Sequence, residues 1–278
     1  MKRRTLALCS IIPLGLVFAV GLTSVRQKQT EYRGMQPASI KELSQTTVIS
    51  PTEVVWEMLG QVDRDRVLND LRRLTGEEPI CANSGCYTIT NRLTGSEGLH
   101  WAKDYICEDL VGLGYSVESR DWSRSGLADQ NLIARKLGVF SPTEEVYFVA
   151  HVDGVRTGVE ERFPAADDDA SGVVDNLELA RILSSSSFSR TVVLLFSTGE
   201  EQGNLGVQSY IDQLSPTELS SIRYVVDVDM VGYDANRDGV MELWPGDHSP
   251  SLALAQMMSE TIRAYQLDLA PTLVVGCV

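Results

Sequence analysis

The sequence predicts an α/β protein with a mostly parallel mixed central sheet and helices on both of its faces. Short apolar segments alternate with longer segments of helical periodicity through most of the chain, as expected when helices connect parallel strands. Residues 145–152 and 191–197 are strongly apolar, which is typical of buried strands. The 278 residues, 43% hydrophobic and 22% charged, have an ordinary globular composition and suffice for a hydrophobic core.

The chain begins with the features of an export signal. Lys2, Arg3 and Arg4 precede an apolar run over residues 6–22, and polar sequence follows it. This run is slightly long for a cleaved signal peptide and slightly short for a membrane-spanning helix. Residues 1–25 are therefore predicted to be a signal peptide or an N-terminal anchor. The protein is expected to be exported, which means secreted, periplasmic or membrane-anchored outside the cytoplasm.

The next segments are a linker and two helices. Residues 26–51 are polar without a sustained period and are predicted to form a linker. Apolar side chains in residues 51–74 recur at three- and four-residue steps, which predicts a helix with Pro51 in its first turn. A second amphipathic pattern covers residues 94–113. The folded domain is expected to comprise residues 52–278.

Beyond the second helix, strands and helices alternate. The predicted strands are residues 115–122, 131–136, 145–152, 191–197, 223–230 and 240–244, the predicted helices are residues 171–183, 204–214 and 251–265, and a last strand begins at 271. In sheets of this kind, binding sites form at the carboxyl ends of the strands. The polar residues that follow each apolar strand are therefore the candidates for function.

Cys81 and Cys86 flank a short turn-like spacer. In an exported protein, this spacing predicts a local disulfide. A zinc half-site formed by the same two cysteines is the alternative, although no second half-site follows in the sequence. Both interpretations stay open from the sequence alone.

The acidic composition limits the partners. Asp and Glu number 38 against 24 Lys and Arg, which gives a formal net charge of −14. This charge argues against nucleic acid or an anionic membrane as the main partner, and any membrane contact is expected only through an N-terminal anchor. An acidic surface keeps a protein soluble, and it also suits a carboxylate-lined cleft that attracts cations. The oligomeric state is not encoded in any recognisable pattern.

His151 and Asp153 end the apolar strand at residues 145–152. Alternation along a strand places both side chains on the same side. There the carboxylate can accept the second ring N–H of the histidine and increase its basicity as a metal ligand. For this pair alone, a histidine that is merely hydrogen-bonded at a strand end is the competing interpretation.

Three further groups of carboxylates follow. The aspartate run at 167–169 precedes a predicted helix, and capping of that helix explains one aspartate but not three. Neighbouring carboxylates repel one another unless they are solvated or neutralised by cations. Glu200 and Glu201 follow the next apolar strand, where one can bind a metal while the other acts as a base. Asp227 and Asp229 lie within an apolar strand, where buried aspartates usually have a strong partner.

Together and in this order, these groups resemble the zinc aminopeptidases of the bacterial leucyl and aminopeptidase S type, which are related to the glutamate carboxypeptidases. The motifs that carry the resemblance are HVD at 151–153, ADDDASG at 166–172, GEE at 199–201 with Gly206 and Ser209 after it, and DVDM at 227–230. The resemblance covers roughly residues 90–278. It implies the zinc exopeptidase fold and a peptide substrate.

The resemblance also implies the metal ligands. His151 and Asp229 would bind one Zn²⁺ ion, and Asp168 would bridge it to a second one. Glu201 would bind that second ion. Two zinc ions close together can polarise a scissile carbonyl and activate water near neutral pH, which is the chemistry of a co-catalytic di-zinc centre.

The catalytic roles follow from the same resemblance. Glu200 would be the general base that takes a proton from the attacking water and returns it to the leaving amine, and Asp153 would orient His151. The family often has a cis peptide bond after its bridging aspartate, which here is the bond from Asp168 to Asp169. The implied function is a metallo-exopeptidase that removes N-terminal residues from peptides.

The sequence departs from the family in one ligand. Relatives use a further histidine in a later loop, whereas this chain has 3 histidines in all. His100 lies too far upstream, and His248 is expected at the exposed start of a helix. The sequence is therefore predicted to be incomplete at its C-terminal end, with one zinc ion held well and the second only by Asp168 and Glu201. Such a chain is expected to have little peptidase activity, unlike a version extended past Val278.

Two other functions compete with this one. A non-catalytic binding or receptor-like module on the same fold is the first, and Glu200 argues against it because such a module needs no base beside a metal ligand. A single-zinc acyl-transfer or cyclising enzyme is the second, and relatives of that kind usually lack the full ADDDASG motif. The residue preference of the substrate is not readable from the sequence.

Overall fold

The computed structural model describes residues 49–275 except 83, 84, 157–161 and 247. The predicted export segment and nearly all of the predicted linker lie outside the described residues, so both stay predictions. No helix in the described part of the chain has the length and apolarity to cross a membrane. The described residues divide into two compact units, one formed by Gln61–Ala235 and the other by residues 49–60 and 236–275.

Helices and strands are numbered separately in chain order. The helices are α1 (Glu53–Leu59), α2 (Arg64–Leu74), α3 (Glu97–Gly112), α4 (Ala170–Ser184), α5 (Leu205–Gln213), α6 (Pro216–Ser221) and α7 (Ser249–Ala264). The strands are β1 (Ile80–Ala82), β2 (Gly85–Tyr87), β3 (Ser116–Arg124), β4 (Leu127–Lys136), β5 (Ser141–His151), β6 (Arg190–Ser197), β7 (Ile222–Asp227), β8 (Val240–Leu243) and β9 (Ala270–Leu273). The smaller unit contains α1, α7 and the parallel pair of β8 and β9.

The larger unit is built around a five-stranded sheet with the strand order β3-β4-β6-β5-β7. β5 lies parallel to β6 and β7, whereas β4 is antiparallel to β3 and β6. Of these five strands, four therefore run in one direction and β4 runs in the other. The predicted mostly parallel mixed sheet is confirmed, and the carboxyl ends of β5, β6 and β7 meet at one edge.

Helices cover both faces of this sheet. Tyr210 of α5 packs with Tyr147 and Leu195 on one face, and the two tyrosine hydroxyls lie 2.9 Å apart. Side chains alternate along a strand, so Phe148 and Phe196 point to the other face, where both are fully buried. The helix α4 contacts β5 and β6. The predicted helices on both faces are confirmed.

Replacing Phe148 by alanine is expected to lower the free energy of unfolding by about 3–5 kcal/mol, because the change leaves a large cavity beside the central strand. The matched control is Phe140→Ala in the loop between β4 and β5, where the side chain is 84% exposed. This control should change the free energy of unfolding by less than about 0.5 kcal/mol. Urea unfolding followed by circular dichroism measures both, and equal losses would contradict the burial of Phe148.

The single helix predicted for residues 51–74 is wrong. The structure has two helices there, because α1 ends at Leu59 and a new helix starts after Asp63, whose side chain accepts the backbone N–H of Arg66. The apolar period continues across the break, so periodicity alone does not reveal it. The two helices also belong to different units.

Cys81 and Cys86 form a disulfide. They are directly opposite residues in the hairpin of β1 and β2, which the sequence pattern did not predict as strands. The disulfide interpretation is therefore confirmed, and the zinc half-site is wrong.

Candidate metal centre

The candidate site lies in the larger unit, at the edge where β5, β6 and β7 end. β5 ends at His151, which pairs in register with Ser197 at the end of β6. β7 ends at Asp227, two residues before Asp229. Loops that follow three parallel neighbouring strands therefore bring the predicted site residues to the same edge of the sheet.

His151 is the centre of this cluster. Its side chain is 4% exposed, and Nδ1 lies 3.1 Å from the carbonyl oxygen of Asp153. Because a carbonyl oxygen only accepts hydrogen bonds, Nδ1 carries a proton, and Nε2 is the ring nitrogen that faces the carboxylates. Around Nε2, Asp168 Oδ1 lies at 2.9 Å, and Glu200 Oε2 and Asp229 Oδ1 both lie at 3.9 Å. The structure thus brings these four predicted site residues together.

The three neighbouring aspartates have different roles. Asp167 accepts the backbone N–H of Gly232 at 2.8 Å, which fixes the loop after β7. Asp169 caps α4 by accepting a backbone N–H of its first turn at 2.8 Å. Asp168 instead points its carboxylate at Nε2 of His151. Loop fixation and helix capping therefore account for the two outer aspartates, and Asp168 is available to a cation.

Asp169 is a second candidate ligand, because one ligand atom from each of His151, Asp169 and Asp229 lies within 4.8 Å of the others. However, the buried carboxylate of Asp169 already accepts the backbone N–H groups of His151 at 3.2 Å and of Gly172 at 2.8 Å. The side chain of Asp168 is 42% exposed and has no such partners among the described residues. We therefore favour Asp168. The predicted cis peptide bond between the two aspartates is confirmed.

Asp153 is fully buried and holds the loop that carries the two glutamates. Its Oδ1 accepts the backbone N–H of Glu200 at 3.2 Å, and its Oδ2 accepts that of Glu201 at 3.3 Å. The same Oδ1 lies 3.7 Å from Nδ1 of His151, which is longer than a hydrogen bond. The histidine is therefore oriented by the carbonyl of Asp153, and the carboxylate mainly positions the glutamates. The sequence pattern does not predict the contact between the carboxylate of Asp153 and the backbone N–H groups of Glu200 and Glu201.

The turn after β6 requires glycine at position 199. Gly199 has a φ of +71°, a left-handed conformation that glycine adopts without strain, and an added Cβ would lie 2.6 Å from the ring of Trp122. Trp122 donates its Nε1–H to the hydroxyl of Thr198 at 2.8 Å, and Asn131 accepts the backbone N–H of Thr198 at 3.0 Å. These contacts from β3 and β4 fix the turn from which Glu200 follows.

Asp227 and Asp229 differ from the prediction. Both side chains are exposed, that of Asp229 to 46%, so their predicted burial within a strand is wrong. The apolar alternation continues past the end of β7, but Met230 adopts a left-handed φ of 53° and the chain has left the sheet. Asp229 nevertheless lies beside His151, as predicted.

The charges of the cluster change the pKa values of its members. Burial lowers the pKa of His151, but the interaction with Asp153 and the charges of nearby carboxylates outweigh burial and raise this pKa to about 10. Burial and repulsion by Asp168 raise the pKa of Glu201 to about 7, and burial also raises the pKa of Glu200. Carboxylates that disfavour one another's ionisation in this way favour a bound cation.

Two buried polar atoms of the cluster form no hydrogen bond of good geometry among the described residues, namely Nε2 of His151, in spite of Asp168 Oδ1 at 2.9 Å, and Oε1 of Glu201. An unpaired buried polar atom costs free energy, and bound cations would satisfy these two atoms. Imidazole nitrogen and carboxylate oxygen are ligands that zinc takes in proteins. The residues present therefore fit a zinc site.

His248 is exposed and directly precedes α7 in the smaller unit, in agreement with the prediction for this residue. His100 is also exposed, on α3, and its Nε2 lies 3.5 Å from Oδ2 of Asp104. His151 is thus the one histidine of the described residues that belongs to the cluster.

The chain is similar in sequence to proteins of a known family. The profile of peptidase family M28 matches residues 131–272. A probable leucine aminopeptidase 2 from Aspergillus oryzae is 34% identical over 139 residues, which are 50% of this chain and 26% of that protein. A probable zinc metalloprotease from Pyrenophora tritici-repentis is 39% identical over 210 residues, which are 69% of this chain and 47% of that protein. The chain spans less than half the length of these two relatives.

Solved structures share the fold. The LapA aminopeptidase from Legionella pneumophila superimposes with a TM-score of 0.62 at 20% identity, over 90% of this chain and 62% of that one. A glutaminyl cyclase from Macrostomum lignano superimposes with a TM-score of 0.61 at 17% identity, over 83% of this chain and 77% of that one. At these identities the likeness shows the fold alone.

Proposed function

The chain belongs to peptidase family M28, and from this premise we propose that it is a zinc-dependent aminopeptidase that removes N-terminal residues from peptides. The observation that supports this best is the environment of His151, whose buried Nε2 forms no hydrogen bond of good geometry among the described residues although carboxylates lie close to it. Three carboxylates from three different loops, Asp168, Glu200 and Asp229, surround that nitrogen.

We assign the metal ligands as the sequence resemblance implies. His151, Asp168 and Asp229 would hold one zinc ion, and Asp168 and Glu201 would hold a second one more weakly, because a stable zinc site usually has three or four protein ligands. When bound, zinc polarises the scissile carbonyl and makes water more acidic. The N–H of Nδ1, held by the carbonyl of Asp153, directs Nε2 of His151 toward the carboxylates. The proton that the raised pKa of His151 keeps on the ring in the metal-free protein would give its place to zinc.

Glu200 is the proposed general base. Its carboxylate is partly exposed and lies at the edge of the cluster, where it can reach both substrate and ligand residues. In the proposed reaction it takes a proton from the attacking water and transfers it to the amine that leaves. Asp153 contributes by holding the backbone of Glu200 and Glu201 in place.

Hydrolysis of aminoacyl anilides is the direct test of this function. In the zinc-loaded protein, we expect release of the anilide, loss of activity on chelation and recovery on addition of zinc. The control substrates are the same anilides with an acetylated amine, which an aminopeptidase does not cleave. Among the described residues, the second ion is assigned Asp168 and Glu201 alone, so we expect this activity to be low.

The same experiment separates the competing functions. Ammonia release from peptides with N-terminal glutamine, without anilide hydrolysis, would favour a cyclising enzyme. Peptide binding by the zinc-loaded protein without any turnover would favour a binding module. Cleavage of acetylated and free substrates at equal rates would contradict the aminopeptidase proposal.

We also propose that the protein acts outside the cytoplasm. The N-terminal segment at 1–25 has the pattern of an export signal, and the Cys81–Cys86 disulfide is of a kind that persists in oxidising compartments. Fractionation of the producing cells tests this proposal. Recovery of the protein in the cytoplasm with both cysteines reduced would contradict it.

A further inference from the structure

Arg92 is a buried arginine that the sequence analysis did not single out. It is 1% exposed and lies in the segment before α3. Its guanidinium donates four hydrogen bonds, all to backbone carbonyl oxygens: Leu74 at 2.6 Å, Val152 at 2.7 Å, Ala165 at 2.8 Å and Pro164 at 2.9 Å. It forms no ion pair with a carboxylate of the described residues. Because any residue supplies a carbonyl, these partners leave no trace in the sequence.

Three of these carbonyls belong to the two loops that carry candidate metal ligands. Val152 directly follows His151, in what we call the histidine loop (residues 151–154). Pro164 and Ala165 lie a few residues before Asp168, in what we call the aspartate loop (residues 164–169). One planar guanidinium therefore binds both loops at once and sets their separation.

The histidine loop and the aspartate loop are also in close van der Waals contact. A Cβ added at Gly154 would lie 2.5 Å from the Cβ of Ala165, which is closer than real side chains approach. The backbone N–H of Gly154 donates to the carbonyl of Arg92 at 3.0 Å, so this arginine binds the histidine loop through its main chain as well. A small change in the separation of the loops would therefore be transmitted to both ligands.

The charge of Arg92 matters in addition to its hydrogen bonds. Burial lowers its pKa to about 10, while the negative charges of Asp169, Asp153 and Asp168 act in the opposite direction. The guanidinium is thus protonated at neutral pH. A fixed positive charge within reach of these carboxylates reduces their mutual repulsion.

We propose that Arg92 is a positioning residue for the metal centre, which holds the histidine loop and the aspartate loop at the separation at which His151 and Asp168 bind the same ion. The proposal rests on the proposed zinc function. It concerns a residue outside the part of the chain that the family profile matches.

The test is the zinc affinity of Arg92→Lys. Lysine keeps the positive charge but lacks the planar fork that spans carbonyls of two loops. We expect a loss of zinc affinity of about 10–100-fold, the range typical of groups that orient metal ligands. Competition with a chelator of known affinity measures it in the 278-residue chain, and circular dichroism checks the fold.

Arg66→Lys is the matched control. Arg66 is another arginine of the larger unit, partly buried where Arg92 is fully buried, and it contacts the carboxylates of Asp109, Asp70 and Glu178 and neither of the two loops. Its replacement should leave the zinc affinity within about twofold of wild type. Equal losses in both variants, or an unchanged affinity in Arg92→Lys, would overturn the proposal. Absence of zinc binding in the wild-type chain would instead remove the proposed function.

A second variant covers the case in which Arg92→Lys does not fold. Gly154→Ala pushes the two loops apart while Arg92 stays in place, so it should also weaken zinc binding. Adding Ala165→Gly removes the clash at a residue whose φ of 44° suits glycine, and should restore the affinity. An unchanged affinity in Gly154→Ala would show that the loop separation does not control the site and would overturn the proposal.

Discussion

Replacing Glu200 by glutamine is expected to lower kcat about 10²–10⁴-fold and to leave the zinc content unchanged. Glutamine has nearly the same shape as glutamate, but it cannot accept a proton from the attacking water. Asp153 holds residue 200 through its backbone N–H, so the substitution should not move the loop. Hydrolysis of an aminoacyl anilide by the zinc-loaded protein, measured together with its zinc content, checks both parts of this expectation.

The control for this change is Glu108→Gln, which alters an exposed glutamate on α3 and should not affect kcat. If Glu200→Gln retains more than about a tenth of the wild-type kcat, another group is the base. A loss of zinc together with the activity would instead assign Glu200 to the metal ligands.

Replacing His151 by alanine is expected to abolish tight zinc binding. The carboxylates of Asp168 and Asp229 lie close to the buried Nε2 of His151. Without the imidazole, the cluster has no nitrogen ligand and keeps only carboxylates, which repel one another. Loss of a direct ligand should exceed the effect of a supporting group, which gives a decrease in affinity of more than about 100-fold. After exhaustive dialysis, metal analysis should find one zinc ion per wild-type chain and none in the variant.

His100→Ala serves as the control, because His100 is exposed on α3 and contacts Asp104 rather than the cluster. Its zinc content should equal that of the wild type. Two outcomes contradict the assignment. One is zinc retained by His151→Ala, and the other is two equally retained ions in the wild-type chain, since the second ion is assigned only Asp168 and Glu201.

The run of three aspartates shows how one motif combines structural and functional residues. Asp167 and Asp169 bind backbone N–H groups, which fixes the loop after β7 and the start of α4. Only Asp168 is left to face His151. The repulsion that made the run unusual in the sequence is therefore relieved in two ways, by hydrogen bonds to the outer carboxylates and by the cation proposed for the central one.

Much of the candidate site could be predicted because its residues directly follow strands whose order along the chain is readable from the sequence. The alternation of strands and helices determined the sheet, and parallel neighbouring strands bring their carboxyl ends together whatever the details of the loops. For this reason His151, Asp168, Glu200 and Asp229 were expected at one edge, and the structure places them there. The break before α2 was missed because an apolar period can continue through residues that are not helical.

By itself, the amino-acid sequence determined the type of sheet, the edge at which the site lies and the residue types available there. Only the tertiary structure decided that Asp153 supports the glutamates through its carboxylate, that Asp169 is a helix cap rather than the preferred ligand, and that Arg92 joins two loops. The physical reason is that these decisions depend on hydrogen bonds to backbone groups far away in the chain. Nearly every residue carries a backbone N–H and a carbonyl group, so no pattern of side chains predicts which of these groups will form hydrogen bonds with each other.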